Sequence, residues 1–410
     1  MPRYKIREVD NTSPVSYGTD DNVVFIPGLD YSADATKHTE PILFTSARTF
    51  LSTIGKNGTL PASDRNQGFM MAYALLRLGM SVLYYSAGAD KEEALKTKLE
   101  TEDSLDFLSD KNRYNIRFVS FGGLGLDVNT QIAKAKEILG KEPSDVDEES
   151  TDDDELACLK RKDVTILFDY SSTETVESII GFGNTIVAGL GDLSKYGAVF
   201  APKCDFTIEN ISYESYPASF AYLLAFAQQI NAGTPEYYAV AGDDRGSITQ
   251  LVKPSIEYSE SDIYNMQRRF ATTNVTCAIN PIALVRPYGY VIWGNRTLYP
   301  LSKDRDLQAS SFLNIRQLVS SIKKRILVAS HAVTFDLNTD ITWTNFKSYL
   351  IPMLDRMVTS NGISGYRIVR QEVSGRAKLK GLIMITPIEG LEDFDLTVEL
   401  DDQLGATVTE

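Results

Sequence analysis

Side chains able to do acid–base or nucleophilic chemistry are few and scattered along this chain. The 410 residues include two histidines, His38 and His331, and three cysteines, Cys158, Cys204 and Cys277. Two imidazoles exclude a three-histidine metal site, and no G-x-S-x-G nucleophile elbow occurs in the sequence. The cysteines lack C-x-x-C spacing, which is typical of free thiols buried as small hydrophobes in a reducing compartment. We therefore interpret both histidines as local structural residues and predict no catalytic residue.

Two glycine-rich stretches are the remaining candidates for chemistry, because backbone NH groups in such loops can cradle phosphates. Residues 121–127 (FGGLGLD) lie between a predicted strand and a predicted helix, but they lack the G-x-G-x-x-G spacing. Gly181 and Gly183 begin that fingerprint, yet Ile186 occupies the position of its third glycine. We interpret both stretches as tight turns between strand and helix and predict no cofactor. A nucleotide-binding or enzymatic α/β protein stays as the alternative function.

The charge of the chain is acidic and unevenly distributed. Lys and Arg number 41 against 55 Asp and Glu, a formal net charge of −14, which argues against direct nucleic-acid binding. Residues 142–155 hold nine acidic and no basic side chains, so we expect a solvated surface loop there. The spacing of an EF-hand is not met in this loop, and no metal site is predicted. The run Lys323-Lys324-Arg325 is interpreted as a solvated helix face.

The pattern of apolar residues predicts two kinds of architecture along the chain. Alternating strands and helices between residues 23 and 250 predict an α/β domain with a largely parallel sheet. Two long amphipathic helices followed by consecutive strands predict an α+β domain with an antiparallel sheet over residues 251–390. Residues 1–22 are predicted to be an arm with its linker, and residues 391–410 a C-terminal strand. No apolar run reaches the about 18 residues that span a bilayer, so no membrane insertion is expected.

Several local predictions follow from the same patterns. The segment Asp64–Gln67 has capping-box spacing at the start of a helix, and Tyr237–Ala241 reads as a strand. Periodic apolar residues predict one helix from Phe312 to Ala329 and another from Trp343 to Met357. Predicted strands of the last domain are Ile363–Val373, Leu379–Thr386 and Asp393–Leu400.

The two ends of the chain carry complementary alternating patterns. In the C-terminal strand one face is apolar and the other acidic, and in the N-terminal arm one face is apolar and the other basic. The residues are Phe394, Leu396, Val398 and Leu400 against Asp393, Asp395, Glu399 and Asp401, and Tyr4 and Ile6 against Arg3, Lys5 and Arg7. Opposite charges on adjacent strands favour pairing by about 0.2–1 kcal/mol per pair. We predict strand exchange between copies of the chain; pairing of the two termini within one chain is the alternative.

Motifs in the second half of the chain resemble those of contractile tail sheath proteins, found in bacteriophages and phage-derived injection machines. Residues 289–298, with Trp293, Gly294, Arg296 and Thr297, resemble the family segment G-x-x-x-W-G-x-R-T-L. Residues 335–343 resemble its pattern F-x-x-N-x-x-x-x-W. The resemblance spans roughly residues 258–400 and is looser in the first half, and the acidic loop matches nothing in the family.

This resemblance implies an outer α/β domain inserted between an N-terminal arm and an inner domain that faces a rigid tube. It implies that Arg3–Arg7 and Phe394–Leu400 are inter-subunit strands, which join six-subunit rings stacked in a helical sleeve. The helix with Trp343 would face the tube, with Lys347 and Arg356 as candidate contacts. The implied partners are further copies of the chain, the tail tube protein, and baseplate and tail terminator proteins.

The implied function is that of a non-enzymatic sheath subunit in a virion tail, assembled in the cytoplasm of a host bacterium. Contraction by subunit repacking would drive the tube through the bacterial envelope. Another structural component of the same machine, such as a tube or baseplate protein, is the second alternative.

Overall fold

The structure is a computed structural model, and it describes residues 22–61, 65–142, 160–171, 175–371 and 380–388. An eight-stranded sheet forms its larger part. Numbered in chain order, its strands are β1 (Val24–Pro27), β2 (Ile42–Phe44), β3 (Val82–Tyr85), β4 (Phe118–Ser120), β5 (Thr165–Phe168), β6 (Gly197–Ala201), β10 (Asn280–Val285) and β11 (Gly289–Ile292). A three-stranded sheet contains β7 (Cys204–Ile208), β8 (Ile211–Tyr216) and β9 (Leu251–Pro254), and a hairpin contains β12 (Ile363–Gln371) and β13 (Lys380–Pro387).

The large sheet is doubly wound. Its order is β11-β10-β6-β5-β4-β1-β3-β2, in which β2 and β11 are antiparallel edge strands and the six strands between them are parallel. The first five parallel strands therefore follow the order 2-1-3-4-5 of flavodoxin-like sheets. Their residues are apolar and buried on both faces, as expected where helices cover both sides of a parallel sheet. The predicted α/β character is confirmed.

Helices cover both faces of this sheet. The α-helices are α1 (Ala47–Ile54), α2 (Gln67–Arg77), α3 (Glu92–Glu100), α4 (Val128–Leu139), α5 (Val176–Leu190), α6 (Ala218–Asn231), α7 (Gly242–Arg245), α8 (Glu260–Met266), α9 (Leu313–Val333) and α10 (Asp340–Thr359). Short 3₁₀ helices are Ala35–Lys37, Asp106–Ser109, Gly191–Tyr196 and Ala309–Ser311. One core packs α1, α2 and α6 on one face, and a second packs α3, α4, α5 and α8 on the other.

A third core holds the C-terminal elements together. It joins α9, α10 and the hairpin through buried residues that include Leu318, Ile322, Phe346, Leu350 and Leu354. Both helices follow the predicted periodicity, and the antiparallel pairing of the hairpin is as predicted. The predicted strand Asp393–Leu400, the arm Arg3–Arg7 and most of the acidic loop lie outside the described residues. No helix of the described part is long and apolar enough to cross a membrane.

Three local predictions of secondary structure are wrong. Helix α2 begins at Gln67 with the Asn66 side chain accepting the Phe69 amide, so the capping box does not start at Asp64. Residues 237–241 form no strand; instead Tyr237 packs into the third core and Val240 into the first. Gly181 and Gly183 lie inside α5 rather than in a turn.

The division of the chain at residue 250 remains a prediction, but the large sheet draws strands from both sides of it. Strand β10 pairs in parallel with β6, with Asn280 opposite Phe200, and β11 continues the sheet beside β10. The segment that resembles the sheath motif therefore begins within the α/β sheet.

The glycine at the start of α2 yields a stability prediction. A Cβ at Gly68 would lie 2.0 Å from the carbonyl oxygen of Pro27, so Gly68→Ala is expected to destabilise the protein by about 1–3 kcal/mol. Gly181→Ala is the matched control, because nothing lies within 4 Å of its Cβ, and it is expected to stabilise the protein by about 0.5–1 kcal/mol. Urea denaturation measures the change in the free energy of unfolding for both variants. A change in the same direction in both would contradict the prediction.

Candidate functional site

The C-terminal hairpin is the best candidate for contacts with other chains. Its antiparallel register runs from Ile363 opposite Pro387 to Gln371 opposite Lys380. In the part of the chain that the structure describes, neither strand pairs with a third strand. Both outer edges therefore present backbone NH and C=O groups that an added strand could bind.

The two faces of the hairpin differ in what covers them. Tyr366, Ile368 and Ile383 point to the third core, whereas Leu382 and Met384 on the other face are each 41% exposed. These two neighbouring apolar side chains are therefore available to a partner in the part of the chain that the structure describes.

Helix α10 fixes the hairpin in place. A Cβ at Gly381 would lie 2.8 Å from the Trp343 ring, so the strand lies directly on this indole. On the opposite strand, Arg370 pairs with Gly381 and donates hydrogen bonds to Asp340 (2.6 Å) and Asn338 (2.9 Å). Such direct backbone packing and charged hydrogen bonds hold the hairpin edges at a fixed position on the helix pair.

The predicted tube-facing residues occupy different environments. Trp343 is 8% exposed and stacks on Phe346 at 5.6 Å between ring centroids, so it is a core residue. Lys347 is half-buried with its Nζ 5.9 Å from the Trp343 ring centroid, and Arg356 is exposed. A tube contact through Lys347 and Arg356 stays a prediction.

The sheath-like motif connects the large sheet to α9. Asn280 donates to the carbonyl of Arg296 at 2.8 Å and accepts the Arg296 amide at 2.7 Å, which clamps the motif to β10. The Arg296 guanidinium lies 4.8 Å from the Phe312 ring, and the Thr297 hydroxyl donates to the carbonyl of Ser310. The motif is thus a junction that orients the start of α9. The sequence did not indicate this role of Asn280, because a single asparagine outside any motif predicts no particular contact.

The remaining two motif residues have different roles. A Cβ at Gly294 would lie 2.8 Å from the Asn280 side chain, so only glycine fits there. Trp293 directly follows β11 and is 41% exposed, and its carbonyl accepts a hydrogen bond from Gln267.

A buried arginine ties α9 to the centre of the sheet. Arg117, 1% exposed beside β4, donates to Gln317 (3.1 Å) and to the Ser321 hydroxyl (3.0 Å). The carboxylate of Glu236 lies 3.6 Å from the same guanidinium. A buried cation needs such a complete set of partners, so this group fixes the helical unit on the sheet.

An open cleft of about 990 Å³ lies between the sheet and the helix pair. Basic side chains predominate in its wall: Lys111, Lys324, Arg325, His331 and Arg356, against Asp163 and Glu236. Asn22, the first described residue, also lines it.

The crevice where doubly wound sheets bind ligands is closed here. Ligands in such folds bind between the carboxyl ends of the strands at which the order reverses, here β1 and β4. Gly68 of α2 packs against Pro27 at the end of β1, and a Cβ at Gly122 would lie 2.4 Å from the Pro27 oxygen. Gly122, Gly123 and Gly125 all have φ between 64° and 67°, so residues 121–126 form the predicted tight turn.

The remaining buried titratable groups make local contacts within the fold. Burial raises the pKa of Asp169 to about 6, opposed by hydrogen bonds from the Ser219 hydroxyl and the Gly123 amide. Burial also raises the pKa of Cys277 to about 12, which suits a packed thiol. The His38 Nδ1 lies 2.5 Å from the Asp30 carboxylate, a local contact. Among the described residues no group of three or more His, Cys, Asp or Glu could hold a metal ion.

Two curated proteins are similar to this chain in sequence, both named tail sheath protein. The protein of Vibrio phage KVP40 is 26% identical over 154 residues, 37% of this chain, and that of Enterobacteria phage T4 is 27% identical over 129 residues, 32% of this chain. The matches span about a fifth of the length of these relatives, 20% and 18%. No protein-family profile matches the chain.

Solved structures share the fold over almost the whole chain. A chain of the anti-feeding prophage baseplate in its contracted state has a TM-score of 0.65 at 15% identity, covering 98% of both chains. The sheath complex of the extracellular injection system PVC, also contracted, gives 0.63 at 15% identity and 98% of both chains. A sheath tail protein of Desulfitobacterium hafniense gives 0.52 at 8% identity, covering 90% of this chain and 97% of that one. The predicted resemblance to contractile tail sheath proteins is therefore confirmed, in sequence over about a third of this chain and in fold over nearly all of it.

Proposed function

We propose that this chain is the subunit of a contractile tail sheath that polymerises around a rigid tube. The observation that carries this proposal is a hairpin fixed on α9 and α10 with both edges unpaired among the described residues. The complementary charge patterns at the two ends of the chain supply strands suited to those edges.

In this proposal, the arm Arg3–Arg7 and the strand Phe394–Leu400 of neighbouring copies add to the hairpin. Backbone hydrogen bonds provide the affinity, and the basic and acidic faces set which strands pair. Head-to-tail exchange of this kind builds rings or open helical filaments, as six-subunit rings stacked in a sleeve require.

Contraction follows from repacking of subunits whose strands stay connected. The extended sleeve is metastable, and energy stored in its subunit contacts at assembly drives the change without a cofactor or an enzymatic step. Helix α10 contacts the tube through Lys347 and Arg356, and baseplate and tail terminator proteins bound the sleeve at its ends. The particle is a phage tail or a phage-derived injection machine, assembled in the bacterial cytoplasm.

Electron microscopy of the purified chain tests this function directly. We expect long hollow tubes in negative stain at concentrations where strand exchange is saturated. Discrete particles without tubes, together with a rise in Tm on adding a nucleotide, would instead favour the enzymatic or nucleotide-binding alternative.

A further inference from the structure

Two cationic side chains of α9, neither of which lines the cleft, meet a third cation around one tyrosine ring. Arg316 lies with its Cζ 4.5 Å from the ring centroid of Tyr196. The ammonium groups of Lys195 and Lys323 lie 5.4 and 5.3 Å from the same centroid. Arg316 and Lys323 are two turns apart on one face of the helix, which brings both cations to the same ring.

Two donor atoms of Arg316, Nε and Nη2, have no acceptor among the residues that the structure describes. This side chain is 8% exposed, yet its Nε and Nη2 make no hydrogen bond within the described residues. A buried donor without an acceptor costs free energy, and such groups are rare unless a ligand or ion completes them.

The Nε and Nη2 atoms of another buried arginine, Arg161, show what kind of acceptor these donors bind. Arg161 donates from Nε and Nη2 to the two carboxylate oxygens of Asp163, at 3.1 and 3.0 Å. Two parallel NH donors select an acceptor with two oxygens at matching separation, which is the geometry of a carboxylate, sulfate or phosphate.

The positive charges of the cluster also outnumber the carboxylates near it among the described residues. Glu142 is the carboxylate that faces it, 3.0 Å from Lys195. The other nearby acid, Asp163, is held by Arg161. Within the described ranges, three cations around Tyr196 thus face one carboxylate, which is a local excess of positive charge among these residues.

We propose that Arg316, Lys323 and Lys195 form a binding site for an oxyanion, with Arg316 Nε and Nη2 as the bidentate donors and the two ammonium groups as further contacts. Lys195 is 20% exposed and Lys323 is half-buried, so an ion can reach the site from solvent. The source is either a free dianion or a carboxylate side chain of another copy.

The site couples anion binding to a proton. Burial, reinforced by the Arg316 charge, lowers the pKa of Lys323 to about 7; Lys195 acts in the same direction, while Asp163 and Glu142 oppose it. Its Nζ also donates to the carbonyl of Lys162. A bound anion favours the charged ammonium and raises this pKa, so binding takes up a proton above pH 7. Affinity is therefore full near pH 6 and falls about tenfold by pH 8.

Sulfate titration of the purified chain tests the site, because sulfate does not titrate in this range. We expect a saturable rise in Tm and saturable heat in calorimetry, stronger at pH 6 than at pH 8. In Lys323→Met the sulfate response and its pH dependence are lost, whereas Tm without sulfate is unchanged or higher because repulsion with Arg316 is relieved. Arg316→Gln also loses the response.

Arg325→Gln is the matched control on the same helix, and it keeps the saturable response. A non-saturable rise of equal size in all variants is the general salting effect and would overturn the site. So would a retained response in Lys323→Met. Acetate separates the two sources: binding selective for sulfate and phosphate assigns a free dianion, and acetate binding as tightly assigns a side-chain carboxylate.

Discussion

A chain lacking residues 1–10 is expected to fold normally and to form no tubes. The three hydrophobic cores are built from residues between 23 and 385, so removing the arm leaves them intact. Under the proposed function, however, a continuous mesh of neighbouring copies needs the arm strand as well as the C-terminal strand. Polymerisation should therefore fall below detection in microscopy and sedimentation, while the unfolding midpoint in urea stays unchanged. Tubes of normal length formed by this truncated chain would contradict the strand-exchange proposal.

Mixing two truncations tests whether the arm and the C-terminal strand pair with each other when they belong to different copies. Copies lacking residues 1–10 keep the acidic strand, and copies lacking residues 391–410 keep the basic arm. Exchange predicts that the mixture forms dimers that neither truncation forms alone, detectable by sedimentation. A mixture without dimers would contradict pairing between these two strands.

Charge reversal provides a subtler control of the same contact. Reversing the basic face alone should abolish tubes, and reversing the acidic face as well should restore them, since the opposite charges are then exchanged. The substitutions are Arg3→Glu, Lys5→Glu and Arg7→Glu, with Asp393→Lys, Asp395→Lys and Glu399→Lys. Failure of the double set to recover would show that charge does not select the pairing.

Arg117→Leu is expected to lower the free energy of unfolding by about 3–5 kcal/mol. The guanidinium is buried, and without it the Gln317 oxygen and the hydrogen-bonded pair of Ser321 and Glu236 lose their donor. Because Arg117 joins β4 to α9, the helical unit should also melt before the sheet. Urea unfolding followed by circular dichroism measures the loss and would show a second transition.

Arg113→Leu is the matched control four residues away. Its ion pair with Glu40 is exposed on both sides, at 53% and 77%, and such pairs contribute about 0–1 kcal/mol. If Arg117→Leu destabilised the protein no more than Arg113→Leu, the junction would not depend on this arginine. A rigid junction is what the proposed contraction needs, since the moving contacts are then those between copies.

The predictions that hold are those encoded in local periodicity. Apolar residues at helical spacing mark α9 and α10, since one stripe of each must be buried wherever it lies. Compact strands separated by turn residues mark the α/β half and the hairpin in the same way. The sequence was misleading where one short apolar run suits two structures, as at Tyr237, or where glycines occur inside a helix, as at Gly181.

The sites were decided by tertiary structure. The run Lys323-Lys324-Arg325 was predicted to be a solvated face, yet Lys324 is buried and Lys323 half-buried, because α9 packs against the sheet on that side. Arg117 and Gln317 are 200 residues apart, and no local pattern indicates that they meet.

The sequence by itself therefore determined the element types, the family resemblance and the opposed charges of the two termini, all of which are properties of neighbouring residues. Only the tertiary structure decided that β10 and β11 extend the α/β sheet, that Gly68 closes its ligand crevice, and that Arg316 is buried with its Nε and Nη2 unpaired among the described residues. These depend on close approaches between distant segments, whose free energies arise only when the chain is packed.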